Sequence, residues 1–501
     1  MKKLTYSQKK MICFFAGIIL MILCSGVTSP LYPHYTGLDS SVFLTMAKGI
    51  TKGKVPYIDL FDHKGPVFYW METVGYLAGG RTGVCCFQCV LLMLDLYFID
   101  RISSLFHADF LTAGIPFLSA FFFLFEHGNL TEEFSIPLLL AGFYFELRFL
   151  LSENENHSPR AAFLYGVIFG LIAFIRLNNA IPFCALLLCI IIILIQKGQW
   201  KNLLYNLLCG ILGLAAAAMP ICLYYYRHNA LYDMLYGTFL HNLIYAKQNT
   251  HYPVLSSRFL FYMVLFAPGV YAFIIYLMKW KRDKDRAYLS LLFATAVTYA
   301  MLAYTNVYTH YYMLGLPLFA AASAAAGSDC SVSDFLTKIQ TYLFGKVDRR
   351  HQTRGAAATA LLLIAVVYMA LSGLSACAPI YKTYLTDIAY DEYSQIQTGI
   401  AVIPEEERDS VIAYDLLANY YFHADILPCY KYFTLQRWLT TEKVNVRQEF
   451  MSYLSDAHPL WVVVPANERD TAINDILASD YSCRLSDGIY SYYRYLETEQ
   501  Q

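Results

Sequence analysis

Long apolar runs dominate this sequence and restrict the kind of fold that it can adopt. Of its 501 residues, 57% are hydrophobic and 15% are charged, whereas soluble domains are roughly 45–50% apolar. A helix needs about 17–20 apolar residues to cross a bilayer. Runs near or above this length fall at about 11–29, 83–100, 110–126, 134–151, 161–177, 180–196, 203–226, 258–279, 287–304, 311–327 and 356–376. The sequence therefore predicts an α-helical polytopic membrane protein.

A shorter apolar piece, residues 67–79, decides on which side of the membrane each loop lies. If this piece crossed the membrane, the basic segments 279–286 and 346–354 would face away from the basic N-terminus, against the positive-inside rule. If it lies along the interface instead, all of these segments share one side. We therefore predict about eleven spans, with the N-terminus inside and the C-terminus outside.

This topology places nearly all the unusual ionisable residues on the outer face. The outer segments are 30–82, 127–133, a short turn at 176–179, 227–257, 305–310 and the tail from about 377. The inner loops are short and basic, which suits orientation in the membrane better than chemistry. Candidate functional residues are therefore expected on the outer side.

The tail differs in character from the rest of the chain and predicts a small extracytoplasmic α/β domain. Segments 410–414 and 460–464 have the composition of buried strands, and a hairpin is expected to turn at Asp487-Gly488. Helices are expected near 383–400, 416–423, 434–454 and 467–479. We therefore predict two domains, 1–377 in the membrane and 378–501 outside it.

Charge, cysteines and the N-terminus narrow the interpretation further. A net charge of -1 and the lack of a long basic stripe argue against nucleic acid as a partner. Many of the 13 cysteines lie inside apolar runs, where a thiol behaves as a small hydrophobe; whether Cys429 and Cys483 pair is left open. The first apolar run is too long for a signal-peptide core, so we interpret it as a retained anchor.

The polar segment from Asp39 to Trp70 is too rich in charged residues and glycine to lie in lipid. Ionisable groups close to lipid are costly and therefore indicate function. The segment contains Asp39, a predicted amphipathic helix at 42–51, the sequence Asp62-His63-Lys64, then Gly65-Pro66 and an aromatic pair. This layout resembles the first extracytoplasmic loop of GT-C glycosyltransferases, in particular the bacterial aminoarabinose transferases and protein mannosyltransferases.

The chain departs from the family's loop pattern at two positions. Ser40 stands where the family has a second acidic residue, and Gly65 stands where it has the first of two prolines. The first departure removes a carboxylate, whereas the second is mild because Pro66 remains. Three weaker resemblances lie further along the chain. Thr131-Glu132-Glu133 resembles an acidic outer loop of the family, and Phe174-Ile175-Arg176 resembles a basic residue that closes an outer turn. His310-Tyr311-Tyr312 resembles the start of a late span.

The resemblance implies an inverting transfer of a sugar from a polyprenyl-phosphate donor to a glycan, lipid or protein of the cell envelope. The reaction would take place at the outer face of a bacterial plasma membrane. Asp39 is the candidate base for the acceptor hydroxyl, and Lys64 offers a positive charge to the departing phosphate, with Arg176 and His310 as further phosphate contacts. A divalent metal ion is a candidate cofactor, with Asp62, His63, Glu132 and Glu133 as its candidate ligands.

Each of these assignments has a structural alternative. Asp39 could cap a helix that begins at Ser40 or Ser41, and the Lys64 side chain could extend to lipid headgroups. Asp62 and His63 could be an ordinary hydrogen-bonded pair in a loop. Glu132 and Glu133 could be carboxylates in a solvated loop, and His310 could be a structural histidine.

Two other functions fit an eleven-span protein. A transporter or flippase of envelope precursors would be expected to carry ionisable residues at mid-membrane and, in many folds, a symmetric pair of broken helices, which this sequence lacks. A non-catalytic envelope-assembly protein is the second alternative, and the missing carboxylate at Ser40 is its main support.

Overall fold

The structure is a computed structural model that describes residues 5–243, 259–304, 308–328, 388–434 and 444–496. The predicted span at 356–376, the basic segment 346–354 and the predicted domain boundary at 377/378 lie outside the described residues. The chain divides into two compact units: unit 1 is Met1–Ser25, Cys85–Tyr224 and Leu243–Pro379, and unit 2 is Gly26–Val84, Tyr225–Asn242 and Ile380–Gln501.

Most of the described residues are helical. In chain order the α-helices are α1 (Tyr6–Cys24), α2 (Leu38–Thr51), α3 (Pro66–Leu105), α4 (Phe110–Leu124), α5 (Thr131–Leu150), α6 (Pro159–Arg176), α7 (Ile181–Gln196), α8 (Trp200–Arg227), α9 (Leu231–Leu235), α10 (Phe259–Asp283), α11 (Arg286–Tyr304), α12 (Leu316–Gly327), α13 (Ile388–Ile400), α14 (Asn419–His423), α15 (Val444–Ala457) and α16 (Thr471–Asp480). Short 3-10 turns at Leu177–Ala180, Thr309–Gly315 and Glu405–Ser410 and a π-helical turn at Tyr236–Leu240 connect some of them.

Six helical segments in the described part of the chain are long and apolar enough to cross a membrane: Tyr6–Cys24, Pro66–Leu105, Pro159–Gln196, Trp200–Arg227, Val264–Asp283 and Arg286–Tyr304. The segment Pro159–Gln196 contains two of the predicted spans, and the apolar helix α4 is shorter. The prediction of a polytopic helical membrane protein is therefore confirmed. The count of eleven spans and their direction remain predictions.

Small residues let the helices of unit 1 approach one another closely. Alanines 320–322 and 324–325 of α12 are fully buried, and a Cβ added at Gly327 would lie 2.3 Å from the Thr112 hydroxyl on α4. On α5, an added Cβ at Gly142 would lie 2.6 Å from the ring of Phe183 on α7. Because lipid is as apolar as the helices, such close van der Waals contact is what holds a membrane bundle together.

The helix α3 is interrupted at Gly79-Gly80. Gly80 has φ 60° and ψ −142°, a backbone conformation open to glycine and very few other residues. The break separates the segment 66–78 from the segment 81–105, so the short apolar piece that the sequence sets apart is a helical segment of its own. Its placement along the membrane interface remains a prediction.

The described part of the tail is an α/β structure around a four-stranded sheet. Its strands are β1 (Val411–Ala413), β2 (Trp461–Pro465), β3 (Tyr481–Ser486) and β4 (Tyr490–Tyr495), in the order β1-β2-β4-β3. β1 and β2 are parallel, and the other two pairs are antiparallel. The β3–β4 hairpin turns at Asp487-Gly488, where Gly488 has φ 87°, so the predicted strands and hairpin are confirmed.

Hydrophobic side chains of this sheet and of the neighbouring helices form a core in the tail. Val462 and Val464 of β2 pack with Phe450 and Leu454 of α15, and these side chains are buried. Cys429 and Cys483 are both free thiols, so they form no disulfide in this structure. The tail is therefore stabilised by packing and hydrogen bonds.

Candidate active site

The predicted site residues fall into two groups, one in each unit. Asp39, Asp62, His63 and Lys64 belong to unit 2, whereas Glu132, Glu133, Arg176 and His310 belong to unit 1.

Asp39 lies in the first turn of α2 and is exposed. The residue that precedes this helix is Gly37, and no side chain caps the helix N-terminus. The alternative that Asp39 caps a helix starting at Ser40 or Ser41 is therefore wrong, because the helix begins at Leu38. A carboxylate in this position is favoured by the helix dipole, and its exposure leaves it accessible to a hydroxyl substrate.

Lys64 is buried, with 7% of the residue exposed. Its Nζ lies 3.0 Å from His63 Nε2 and 5.7 Å from the centre of the Phe43 ring. The alternative that this side chain extends into the headgroup region does not fit, because the ammonium group is held within unit 2.

Asp62 is hydrogen bonded on both of its carboxylate oxygens. Oδ1 lies 3.1 Å from His63 Nδ1, and Oδ2 accepts a 2.7 Å hydrogen bond from the Tyr69 hydroxyl. Burial opposes ionisation of Asp62, but neighbouring His63 and Lys64 outweigh it and hold the pKa of this carboxyl well below its usual range. Asp62 is therefore a carboxylate at neutral pH.

Hydrogen bonds to the backbone fix the turn that carries Lys64. The Tyr57 hydroxyl donates to the Lys64 carbonyl (2.7 Å), and the Lys64 N–H donates to the Tyr69 hydroxyl (3.1 Å). The Asn242 side-chain amide donates to the His63 carbonyl at 2.8 Å. Tyr57 has φ 77°, in the left-handed region that non-glycine residues rarely adopt, and such strain persists where the surrounding structure enforces it.

In unit 1, Arg176 is the last residue of α6 and bridges two other elements. Its Nη1 donates to Glu132 Oε1 on α5 at 2.7 Å, and its Nη2 donates to the Tyr311 hydroxyl at 2.8 Å. The guanidinium also lies 4.6 Å from the centre of the Tyr311 ring. Glu132 is 1% exposed, so this is a buried ion pair reinforced by a cation–π contact.

His310 lies between two carboxylates. Its Nδ1 makes a short hydrogen bond with Glu126 Oε2, and its Nε2 lies 4.0 Å from Glu132 Oε2. Burial opposes ionisation of Glu126, but the hydrogen bond with His310 lowers the pKa of this carboxyl below its ordinary value. Residues 126–129 all have φ between 43° and 80°, so the loop that presents Glu126 is locally strained.

Glu133 makes contacts different from those of Glu132. Both of its oxygens accept hydrogen bonds from Gln88 Nε2 at 3.0 Å, and Oε2 also accepts from the Asn129 N–H at 2.8 Å. Both glutamates lie in the first turn of α5 and are buried. The alternative that they are carboxylates in a solvated loop is therefore wrong, because the helix begins at Thr131 and its first turn is packed.

The candidate metal ligands do not converge on a site in the described residues. No group of three or more His, Cys, Asp or Glu side chains is arranged there to hold an ion. Within unit 2, His63 has Asp62 at one ring nitrogen and Lys64 at the other; within unit 1, Glu132 is bound by Arg176 and Glu133 by Gln88. These donor sets fit hydrogen-bonded networks better than a divalent cation.

Several residues of these networks are absent from the sequence-based candidates: Tyr57, Tyr69, Gln88, Glu126, Asn242 and Tyr311. Glu126 carries a sequence signal, since it is a carboxylate at the end of an apolar run beside His127-Gly128-Asn129. Tyr69 and Tyr311 stand in motifs that carry the resemblance, but residue type alone does not mark a tyrosine as functional, because the chain contains 43 of them and most interfacial tyrosines serve as membrane anchors.

Sequence comparison places the chain in a known family. Residues 2–325 match the family described as "Putative competence-induced protein Ccs4 N-terminal domain". The chain belongs to this family. The region of this chain that matches the Ccs4 family contains both groups of candidate site residues, from Asp39 to His310. Among curated proteins, none matches the sequence.

Solved structures show which fold this Ccs4-family member has. ArnT, the aminoarabinose transferase of Cupriavidus metallidurans, solved with bound undecaprenyl phosphate, aligns with a TM-score of 0.60 at 12% identity, over 97% of this chain and 98% of ArnT. The oligosaccharyltransferase AglB of Archaeoglobus fulgidus, solved with an inhibitory peptide and a dolichol-phosphate, aligns with a TM-score of 0.52 at 11% identity, over 97% of this chain and 75% of AglB. Both are members of the GT-C superfamily. The predicted GT-C fold is confirmed.

Proposed function

We propose that this protein is a membrane glycosyltransferase that transfers a sugar, with inversion, from a polyprenyl-phosphate donor to an acceptor in the cell envelope. The observation that carries the proposal is the GT-C fold over 97% of the chain, shared with an enzyme solved with undecaprenyl phosphate. The acceptor is a glycan, a lipid or a protein, and the reaction takes place at the outer face of a bacterial plasma membrane.

Asp39 is the proposed general base. Displacement at the anomeric carbon requires removal of the proton from the acceptor hydroxyl, which an ionised carboxylate can accept. Asp39 is exposed in the first turn of α2, so an acceptor can reach it. The phosphate of the donor is a good leaving group and requires no general acid.

Lys64 is the proposed principal contact for the donor phosphate. An ammonium group in a water-poor environment stabilises the charge that develops on the leaving phosphate more strongly than the same group in bulk water. The burial of Lys64 and the hydrogen bonds that fix its backbone support this role, because a preorganised charge needs no reorganisation during the reaction.

Arg176 and His310 are the proposed additional phosphate contacts. Arg176 uses one Nη to bind Glu132 and the other to bind Tyr311, and a guanidinium has five N–H donors in all. Glu132 and Glu126 then hold Arg176 and His310 in place. A divalent metal was a candidate cofactor, but the described donor sets do not favour one, so no step of the proposed reaction uses a metal.

The tail from residue 378 is the proposed second domain, and we propose that it helps to orient the acceptor on the outer side. Deleting residues 378–501 should reduce acceptor use if this holds. Unchanged acceptor use in a truncated protein that still folds would contradict the acceptor role.

Turnover of a lipid-linked sugar is the direct test of the proposed function. Purified protein incubated with a polyprenyl-phosphate sugar and an envelope extract should release polyprenyl phosphate, and Asp39→Asn should abolish the release while leaving the thermal unfolding profile unchanged. Asp59→Asn is a matched control in the same loop, since an amide oxygen can still accept the Val55 N–H that Asp59 binds. Retained turnover in Asp39→Asn would remove Asp39 as the base.

A transporter or flippase of envelope precursors is the alternative function from another class. A flippase would move the lipid-linked sugar across a proteoliposome membrane without cleaving it. A non-catalytic envelope-assembly protein would bind polyprenyl phosphate without turnover. The absence of a second carboxylate at Ser40 favours this last alternative. Release of polyprenyl phosphate identifies the glycosyltransferase, and movement of the lipid-linked sugar across the proteoliposome membrane distinguishes a flippase from an assembly protein.

A further inference from the structure

The side chains of Asp62, His63 and Lys64 form a continuous hydrogen-bonded series. His63 Nδ1 lies 3.1 Å from Asp62 Oδ1, and His63 Nε2 lies 3.0 Å from Lys64 Nζ. An ammonium group can only donate hydrogen bonds, and a carboxylate can only accept them. In this arrangement Nε2 is therefore the acceptor and Nδ1 carries the proton, so the two neighbours select one neutral tautomer of His63.

Further hydrogen bonds hold this series in place at Asp62 and at the backbone of His63. The second oxygen of Asp62 accepts a hydrogen bond from Tyr69 (2.7 Å), while the His63 carbonyl accepts one from Asn242 (2.8 Å). The His63 ring stacks on the ring of His241, with 5.6 Å between centroids. Rotation of the imidazole would break its contacts with Asp62 and Lys64 and its stacking on His241, so these contacts hold the ring in one orientation.

We propose that His63 is a positioning residue for Lys64 in donor-phosphate binding and that Asp62 fixes the orientation of His63. The inference deepens the proposed function and rests on it. One N–H of the ammonium group is directed to His63, which orients the two remaining N–H groups toward the phosphate. Among the described residues Lys64 donates to the imidazole of His63 and forms no direct ion pair with Asp62, so its ammonium group can still contact an anion.

This role differs from metal ligation, which the sequence had suggested for Asp62 and His63. A metal ligand needs a ring nitrogen with a free lone pair. Here Nε2 faces an ammonium group and Nδ1 faces a carboxylate. A hydrogen bond to a charged group typically contributes on the order of 10–100-fold to an equilibrium constant.

Binding of undecaprenyl phosphate to the purified full-length protein tests the proposal separately from turnover. His63→Phe keeps an aromatic ring and removes the acceptor of the Lys64 hydrogen bond, so the Kd should rise about 10–100-fold. His63→Gln restores an acceptor oxygen and should recover most of the affinity. In turnover assays the loss should appear mainly in the donor KM, with a smaller change in the acceptor KM.

A double-mutant cycle separates positioning from a general effect on folding. In a Lys64→Ala background, His63→Phe should change the Kd little, because the residue through which His63 acts is gone. Equal effects of His63→Phe in both backgrounds, or an unchanged Kd in the single variant, would overturn the proposal. Loss of binding in His63→Gln together with inhibition of the wild type by a chelator would instead identify a metal site. If the wild-type protein binds undecaprenyl phosphate but transfers no sugar, the proposed function fails while the positioning role stands.

Discussion

The backbone N–H of Phe61 donates a hydrogen bond to the carbonyl oxygen of Lys431, at 2.8 Å. Phe61 immediately precedes the Asp62-His63-Lys64 turn, whereas Lys431 belongs to the tail, and both residues are part of unit 2. The Phe61 ring also lies 5.2 Å from the ring of Tyr432. Lys48 of α2 adds an ion pair with Asp425 at 2.6 Å. The segment 425–432 therefore contacts α2 and the residue that immediately precedes the turn.

Loss of the Tyr432 ring should loosen the turn that carries Lys64. We expect Tyr432→Ala to raise the donor KM severalfold and to increase proteolysis within residues 52–65, because the ring packed on Phe61 is removed. Tyr432→Phe is the matched control, since it keeps the ring and should behave as the wild type. Steady-state kinetics and limited proteolysis of the full-length protein check this, and equal cleavage of all three proteins would contradict it.

The tail was predictable from sequence because its signals are local. Alternating or continuous apolar residues at 410–414 and 460–464 and the Asp487-Gly488 turn each specify structure within a few residues. The observed β1 lies within the first range, β2 overlaps all but the first residue of the second, and β3 and β4 flank the turn. The apolar pieces 67–79 and 83–100 are likewise separate in the sequence, and α3 is interrupted between them at Gly79-Gly80.

The contacts of the candidate site were not predictable in the same way. Arg176 and Glu132 are 44 positions apart in the sequence, and His310 and Glu126 are 184 positions apart. Hydropathy does not predict which helices are neighbours in a bundle. The burial of Glu132 and Glu133 was missed because their polarity suggested a loop. The contact between His63 and Lys64 is local, but it depends on side-chain rotamers that neither residue type dictates.

The Arg176–Glu132 pair should be important for stability as well as for the proposed phosphate contact. Removing one partner of a buried ion pair leaves the other charge uncompensated and typically costs about 3–5 kcal/mol. We therefore expect Arg176→Leu to lower the free energy of unfolding by about 3 kcal/mol. Equilibrium unfolding in mixed micelles measures this change.

The matched double variant distinguishes the pair from simple loss of packing. Arg176→Leu combined with Glu132→Leu removes both charges and should be more stable than Arg176→Leu alone. If the double variant loses as much free energy of unfolding as the two single variants together, the two side chains act independently.

The break in α3 should depend on the glycine at position 80. Its φ of 60° and ψ of −142° are strained for any residue with a Cβ, and such strain costs on the order of 1–3 kcal/mol. An added Cβ would meet no atom within 4 Å, so the cost of Gly80→Ala should come from the backbone alone. Gly210→Ala, within helix α8 and with only one atom close to an added Cβ, at 3.6 Å, should be neutral or stabilising. Equal unfolding free energies for the two variants would contradict this.

Acid should weaken the tail through Asp470. Hydrogen bonds from Arg447, at 2.6 and 2.8 Å, are the main cause that lowers the pKa of this carboxyl to about 2, with the Tyr414 hydroxyl contributing. Because the unfolded value is about 3.9, the stabilisation is present above pH 4 and is lost as the pH falls toward 2. Asp470→Asn should therefore lower hydrogen-exchange protection of β2 and α16 at pH 5 and differ little from the wild type near pH 2. Asp456→Asn, at an exposed carboxylate of α15, is the control. The same difference from the wild type at both pH values would rule out Asp470 as the titrating group.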